Sequence, residues 1–143
     1  MGWIVETRSV AETMAFGKSL GASLKPGSVL ALRGDLGAGK TCLVKGLGQS
    51  FGVTQAEVTS PTYALFQEYE GSPCPLLHFD FYRLEGFEHA CSLGFDEQVG
   101  RRDGVTVIEW AGLIPELLPK DFWCCFLQAD GDRRRIYLHR SWS

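Results

Sequence analysis

The stretch that decides the fold reads Gly34-Asp35-Leu36-Gly37-Ala38-Gly39-Lys40-Thr41. It matches the spacing G-x-x-x-x-G-K-[ST] of a phosphate-binding loop at every fixed position. An apolar run over residues 28–33 predicts a buried strand before it, and apolar residues at three- and four-residue spacing over 40–51 predict a helix after it. Such a loop presents successive backbone N–H groups and a positive helix end to phosphate. The stretch therefore predicts a nucleoside triphosphate site.

The residues of this loop have separate expected roles. Glycines let the backbone approach phosphate groups closely, because no Cβ lies in the way. Lys40 is expected to contact the β- and γ-phosphates and to act in catalysis, and the Thr41 hydroxyl is expected to ligate Mg²⁺. The residues expected to bind the nucleotide are Leu36, Gly37, Ala38, Gly39, Lys40, Thr41 and Cys42, with Arg133 from a later turn.

Two further predicted strands end in an acid. A short apolar run over 105–108 leads into Glu109, which is the Walker B arrangement, and residues 76–79 lead into Asp80. Mg²⁺ prefers oxygen ligands and keeps several waters, so one carboxylate, Thr41 and phosphate oxygens are a sufficient set. We expect Glu109 at the metal and Asp80 as a catalytic residue that orients or deprotonates water. Which of the two carboxylates activates water stays open at this point.

Two neighbouring features suit a site of this kind. Ser60-Pro61-Thr62-Tyr63 carries hydroxyl groups beside a proline that keeps Ser60 extended. Such a segment suits sensing of the γ-phosphate, which makes Thr62 a candidate catalytic residue, and an ordinary proline turn is the alternative. Trp110 follows Glu109 directly and either gates the site, stacks on a partner or fills the core.

The base is weakly constrained by the sequence. The chain contains no Asn, so the Asn-Lys-x-Asp signature that reads guanine in GTPases is absent and ATP is favoured. Arg133, Arg134 and Arg135 follow the predicted turn at 130–132. Arginine side chains stack on adenine or contact partner proteins, and a solvated hairpin tip is the alternative.

Length and composition bound the remaining classes. The 143 residues suffice for one domain with its own core, expected to span residues 1–143. With 22% charged residues and a net charge of −3, nothing indicates nucleic-acid binding through bulk charge. No apolar run reaches membrane-spanning length, and no signal-peptide pattern is present. The five cysteines lack zinc-ligand spacing, which is typical of reduced thiols in a cytoplasmic protein.

The remaining pattern predicts an α/β fold. The stretch Ser9-Val10-Ala11-Glu12 is a capping box that begins a helix running to about Leu24. The residues expected on its buried face are Val10, Met14, Gly17, Leu20 and Leu24. Residues 63–69 with 76–82, and 121–129 with 134–140, predict two antiparallel hairpins, and 84–93 predicts a short helix. We expect a P-loop NTPase-like single domain, a mixed sheet with a parallel core, antiparallel additions and helices on both faces.

Five ordered motifs together resemble the TsaE family (formerly YjeE), small P-loop ATPases of bacterial tRNA threonylcarbamoyladenosine synthesis. They cover roughly residues 9–119 in the family's order and spacing. Besides the phosphate loop, they are Ser60-Pro61-Thr62-Tyr63, His78-Phe79-Asp80-Phe81-Tyr82-Arg83-Leu84, Leu93-Gly94-Phe95-Asp96-Glu97 and Val107-Ile108-Glu109-Trp110.

The resemblance implies ATP and Mg²⁺ binding and an ATPase that is weak alone. It implies partners similar to TsaD and TsaB, whose complex transfers threonylcarbamoyl to the adenosine beside the anticodon, so that tRNA is met only through the complex. By this similarity Thr41 and Glu109 hold Mg²⁺, Asp80 assists hydrolysis, and the segment from Ser60 to Tyr63 acts as a switch. Hydrolysis then resets the partner complex between turnovers.

Two other classes share the same phosphate loop. A small-molecule kinase normally carries an arginine-rich lid and a substrate pocket of its own, and a chain of 143 residues leaves little room for either. In a non-catalytic scaffold, ATP binding alone drives assembly, and Asp80 is dispensable. A phosphorylated small-molecule product identifies the kinase, and retained function after loss of Asp80 identifies the scaffold.

Overall fold

Seven strands and four helices make up the described part of the chain, which in this computed structural model comprises residues 2–35, 37–58 and 65–142, with Trp142 described for its backbone alone. In chain order they are β1 Gly2–Thr7, α1 Val10–Ser23, β2 Val29–Gly34, α2 Lys40–Gln49, β3 Phe66–Tyr69, β4 Leu76–Asp80, α3 Phe87–Ser92, α4 Phe95–Gln98, β5 Val105–Glu109, β6 Asp121–Asp130 and β7 Arg133–Trp142. Two short 3₁₀ turns, Ala111–Leu113 and Pro115–Leu117, lie between β5 and β6.

The strands form one mixed sheet in the order β1-β7-β6-β2-β5-β4-β3. The central strand β2 pairs in parallel with β5 and β6, and β4 extends the parallel part beyond β5. Antiparallel pairs flank this core, with β3 on β4 at one edge and β7 on both β6 and β1 at the other. The expected mixed sheet and both expected hairpins are therefore confirmed. The strand that leads into the phosphate loop has two parallel neighbours, so its carboxyl end is surrounded by other strand ends.

Helices cover both faces of the sheet, as the sequence predicts. On one face α1 and α2 pack over inward residues of β2 and β6, including Leu30, Leu32 and Leu127. On the other face α3, α4 and the 3₁₀ turns pack over residues of alternate register, such as Phe79 and Ile108. The two-residue period of each strand divides its side chains between the two apolar cores.

Helix α1 begins at its predicted capping box. The Ser9 hydroxyl accepts the Glu12 N–H at 3.1 Å, and the Glu12 carboxylate accepts the Arg8 N–H at 3.1 Å. The predicted buried face is correct for Gly17, Leu20 and Leu24 but wrong for Val10, which is exposed. Val10 is the first residue of α1, and a helical apolar period alone does not determine burial at a helix end.

Close contact between α1 and α2 depends on glycine. A Cβ at Gly17 would collide with the Leu43 carbonyl oxygen, and a Cβ at Gly46 would collide with the Met14 carbonyl oxygen. The two helices therefore pack backbone against backbone, closer than side chains would permit. This packing holds α2, and with it the helix end of the phosphate loop, against α1.

Two elements lie outside the sequence predictions. Strand β1 is an edge strand whose side chains are mostly exposed. Its sequence therefore lacks the alternation of apolar and polar residues that predicts a half-buried strand. Helix α4 spans a single turn, which is too short to show a helical period. Among the described residues no helix is both long and apolar enough to cross a bilayer.

Candidate nucleotide-binding site

The phosphate loop joins the end of β2 to the start of α2. Gly37 and Gly39 have φ angles of 82° and 101°, a region that side chains with a Cβ disfavour. Gly39 is the residue that precedes α2, and no side chain among the described residues caps the N–H groups of that helix end. These N–H groups and the helix dipole together suit an anion.

Two buried carboxylates lie at the adjoining strand ends. Asp80 ends β4 and Glu109 ends β5, and the two residues are direct partners in the parallel register. Glu109 is also the register partner of Leu32, which faces α2. Both acids therefore project to the α2 face, where their residues are 2% and 5% exposed. A charged group at such burial needs partners, which makes this pair the strongest functional signal in the sheet.

Lys40 connects the loop to these acids. Its Nζ lies 4.0 Å from Glu109 Oε1, and its side chain is 12% exposed. The same ammonium group lies 5.2 Å from the ring centroid of Trp110, within cation–π range. The structure thus brings Lys40, Glu109 and Asp80 to one edge, as their sequence positions predict.

Trp110 is exposed rather than part of the core. It is 45% exposed, and its φ of 61° is unusual for a residue with a bulky side chain. Its ring lies 5.0 Å from that of Tyr82, whose backbone N–H donates to Asp80 Oδ1 at 2.9 Å. A strained backbone at the end of β5 places an aromatic side chain over the loop lysine, and of the alternatives for Trp110 only core filling is excluded.

His78 joins the site without having been assigned a role from sequence. Its Nε2 lies 2.9 Å from Glu109 Oε2, and both side chains are buried. In the sequence His78 is only the first residue of the motif that contains Asp80, with no role of its own. The available signal is its position two residues before Asp80, because strand period places both on one face.

Arg134 approaches the loop, whereas Arg133 does not. Arg134 Nη2 lies 3.4 Å from the Gly37 carbonyl oxygen. Its Nη1 donates a hydrogen bond to the Gly131 carbonyl oxygen in the β6–β7 turn at 2.8 Å. Arg133 lies on the other face of β7, 60% exposed and 3.9 Å from Glu6. The expectation that Arg133 contacts the nucleotide therefore has no support in the geometry, since neighbouring residues of a strand point to opposite faces.

A cavity of about 300 Å³ lies beside the loop, next to Arg134. Its lining comprises Arg8, Ser9, Val10, Thr13, Gly39, Cys42, Asp132 and Arg134. Cys42 is half-buried there, and Thr41 is exposed at the start of α2. Two expected site residues, Leu36 and Thr62, lie outside the described residues, as does the whole segment from Ser60 to Tyr63.

The side chains at this edge suit Mg²⁺ only in company with phosphate. Thr41, Asp80 and Glu109 offer oxygen atoms alone, which is the donor chemistry that Mg²⁺ prefers. No group of three or more His, Cys, Asp or Glu side chains among the described residues forms a metal cluster of its own. A protein site with few ligands fits a metal that binds through nucleotide phosphates and water.

A glycine-rich loop after a central parallel strand, an adjoining helix and acids at the neighbouring strand ends define a P-loop nucleotide-binding protein. The family model of "Threonylcarbamoyl adenosine biosynthesis protein TsaE" matches residues 7–136. The chain belongs to the TsaE family.

Individual relatives agree with this assignment. The tRNA threonylcarbamoyladenosine biosynthesis protein TsaE of Bacillus subtilis (strain 168) is 43% identical over 124 residues, which cover 87% of this chain and 76% of the relative. The protein of the same name from Treponema pallidum (strain Nichols) is 42% identical over 129 residues, covering 89% and 93%. The crystal structure of Bacillus subtilis YdiB has a TM-score of 0.80 at 35% identity, covering 100% of this chain and 87% of that one.

Proposed function

We propose that this chain binds and hydrolyses ATP as a subunit of the assembly that makes threonylcarbamoyladenosine in tRNA. The observation that carries the chemistry is the Lys40 ammonium 4.0 Å from Glu109, with Asp80 in register on the next strand. The names of the relatives support the pathway. Partners similar to TsaD and TsaB carry out the transfer itself, and hydrolysis by this chain resets their complex.

The roles divide among the residues of the site. The loop N–H groups and the α2 dipole bind the β- and γ-phosphates, and Lys40 leaves Glu109 to neutralise charge on the transferred group. Glu109 and Thr41 would hold Mg²⁺, which would supply positive charge to offset that of the phosphates. Asp80 orients the attacking water, because its carboxylate is held by the Tyr82 N–H beside the metal acid.

The cavity beside Gly39 and Cys42 is the proposed place of the base. Its lining comes from the loop, α2, the start of α1 and the β6–β7 turn, includes Arg134, and contains neither Asp80 nor Glu109. A planar cation there suits stacking on an adenine ring. The absence of Asn from the chain removes the usual guanine-reading signature and supports ATP.

Two alternatives are separated by their products. A small-molecule kinase passes phosphate to a metabolite, whereas the proposed ATPase passes it to water. A scaffold that acts through ATP binding alone needs no Asp80, yet the Asp80 carboxyl group is buried beside Glu109. That burial favours hydrolysis over binding alone, since an idle carboxylate is costly to bury.

The deciding experiment measures ATP hydrolysis by this chain alone and with TsaD-like and TsaB-like proteins from the same source. We expect slow phosphate release alone and a strong increase when both partners are present. Release that ignores the partners, or phosphate recovered on a small metabolite, contradicts the proposal and favours the kinase.

Replacement of Arg134 by alanine is expected to weaken ATP binding by about tenfold. A cation stacked on an aromatic ring contributes about 0.5–1 kcal/mol at an exposed site and about 2 kcal/mol when desolvated, and a tenfold change in affinity corresponds to about 1.4 kcal/mol. Arg133→Ala is the matched control, because it removes the neighbouring guanidinium on the opposite face. We expect its ATP affinity, measured by calorimetry, to remain close to that of the wild type. Equal losses in the two variants would exclude Arg134 from the base site.

Nucleotide is expected to protect Cys42 from alkylation by iodoacetamide. At about ten times the dissociation constant only about a tenth of the sites are free, so modification should slow by about tenfold. Burial raises the pKa of Cys125 to about 12, so at pH 8 its thiol is protonated and should remain unmodified in the folded protein. Half-buried Cys91, on α3, serves as the control whose rate nucleotide should leave unchanged. Peptide mass spectrometry measures all three, and an unprotected Cys42 would place the nucleotide elsewhere.

A further inference from the structure

His78 is a buried side chain that contacts the site through Glu109. It lies on β4, two residues before Asp80, and is 1% exposed. Its Nε2 is 2.9 Å from Glu109 Oε2. Lys40, by comparison, faces the other oxygen of the same carboxylate, Oε1, at 4.0 Å. The two oxygens of Glu109 are therefore turned to different neighbours, one inward to His78 and one outward to the phosphate loop.

An inward contact of this kind determines how the carboxylate is presented. The last torsion of a glutamate side chain is soft, so an unanchored carboxylate samples many orientations. A hydrogen bond from a buried ring to Oε2 restrains that torsion and keeps Oε1 directed toward Lys40. The ring is itself restrained, since β4 and β5 pair in parallel register around it and its neighbours are buried strand residues.

The second ring nitrogen shows that this contact is made at a cost. A carboxylate oxygen accepts hydrogen bonds, so Nε2 is the donor of this contact. Nδ1 is buried, and among the described residues nothing donates a hydrogen bond to it. A side chain that served packing alone would be replaced at no loss by an apolar one, so a buried ring with an unpaired nitrogen calls for a functional reason.

We propose that His78 is the positioning residue for Glu109, orienting that carboxylate toward Mg²⁺ and phosphate without contacting either. The inference rests on the proposed function, in which Glu109 is a metal acid. Mutation of a residue that hydrogen-bonds to a metal ligand typically lowers metal affinity by about 10–100-fold. The nucleotide itself binds mainly through the loop and α2, so its affinity in the absence of metal is independent of His78.

Two amide variants separate this role from simple packing. His78→Gln carries an amide nitrogen near the place of Nε2, whereas the shorter His78→Asn carries it near the place of Nδ1, out of reach of Glu109. Both are neutral and polar, so they differ mainly in where the donor lies. The measurement is a MgCl₂ titration of the protein with fluorescent mant-ADP, with a parallel mant-ADP titration in EDTA.

We expect His78→Gln to keep an apparent Mg²⁺ affinity close to that of the wild type and His78→Asn to lose about tenfold or more. In EDTA the three proteins should bind mant-ADP equally. His78→Met, which removes the donor but fills the site with an adaptable apolar chain, should behave as His78→Asn does. Thermal unfolding of each variant establishes that it is folded.

Several results would overturn the proposal. Equal Mg²⁺ affinities in the glutamine and asparagine variants would show that the donor position does not matter. Losses of equal size with Mg²⁺ and with EDTA would reduce His78 to a packing role. Failure of both the asparagine and methionine variants to fold, beside a folded glutamine variant, would assign the contact to stability. If the wild-type protein binds mant-ADP equally well with and without Mg²⁺, the metal site of the proposed function is contradicted. The proposed role of His78 then fails with it.

Discussion

Replacement of Lys40 by alanine is expected to weaken ATP binding by about a hundredfold and to abolish measurable hydrolysis. Among the described residues of the phosphate loop, Lys40 supplies the one cation. Its ammonium group lies 4.0 Å from Glu109. Without it, phosphate approaches two buried carboxylates with less compensation of its charge. Calorimetry with a non-hydrolysable ATP analogue measures binding, and phosphate release measures hydrolysis.

A matched control lies further along the same helix. Lys45 is also on α2, beyond the phosphate loop, so Lys45→Ala removes a lysine while leaving the loop intact. Its ATP affinity and hydrolysis should stay near the wild-type values. Normal turnover in the Lys40→Ala protein would show that the phosphate loop is not the site of hydrolysis.

Replacement of Asp80 by asparagine is expected to lower partner-stimulated hydrolysis by about 10²–10⁴-fold while leaving ATP affinity nearly unchanged. Asparagine keeps the shape of the side chain and an oxygen that accepts the Tyr82 N–H, which Asp80 accepts at 2.9 Å. The change therefore removes the negative charge and little of the local structure. Hydrolysis with both partner proteins and ATP binding without them are the two measurements.

Asp103→Asn is the control for loss of a single acidic charge. Asp103 is an exposed residue paired with Arg101 at 2.8 Å, at the opposite end of β5 from Glu109. Its removal should leave hydrolysis unchanged. Normal ATP hydrolysis by Asp80→Asn would contradict the role of Asp80 and leave Glu109 as the candidate for activating water. Loss of both hydrolysis and ATP binding would show instead that Asp80 is needed for the structure of the site.

Much of the site is readable in the sequence because its parts follow local rules. The loop spacing predicts glycines where the backbone approaches phosphate, and in the structure Gly37 and Gly39 have positive φ angles there. Acids at the ends of predicted strands meet at one edge because parallel strands finish together, as Asp80 and Glu109 do. The mixed sheet follows from the order of apolar runs and turns. The roles of these residues in catalysis stay predictions until the variants are measured.

Other contacts depend on distances that no local pattern records. The helix contact made by Gly17 and Gly46 joins residues far apart in the chain, and a glycine in a helix otherwise signals only lower stability. The choice of Arg134 over Arg133 depends on which face of β7 meets the loop. That face follows from the pairing of β7 with β6 and β1, which the arginine run does not reveal.

The sequence by itself determined the phosphate loop, its strand and helix, and the two acids, since each rests on a spacing of a few residues along the chain. Only the tertiary structure decided that His78 Nε2 lies 2.9 Å from Glu109 Oε2, that Trp110 contacts Lys40, and that Arg134 contacts the loop. These contacts join separate elements whose spacing is determined by sheet order and register. Their physical cause is the packing of the whole sheet, in which a shift of one residue would turn each side chain to the opposite face.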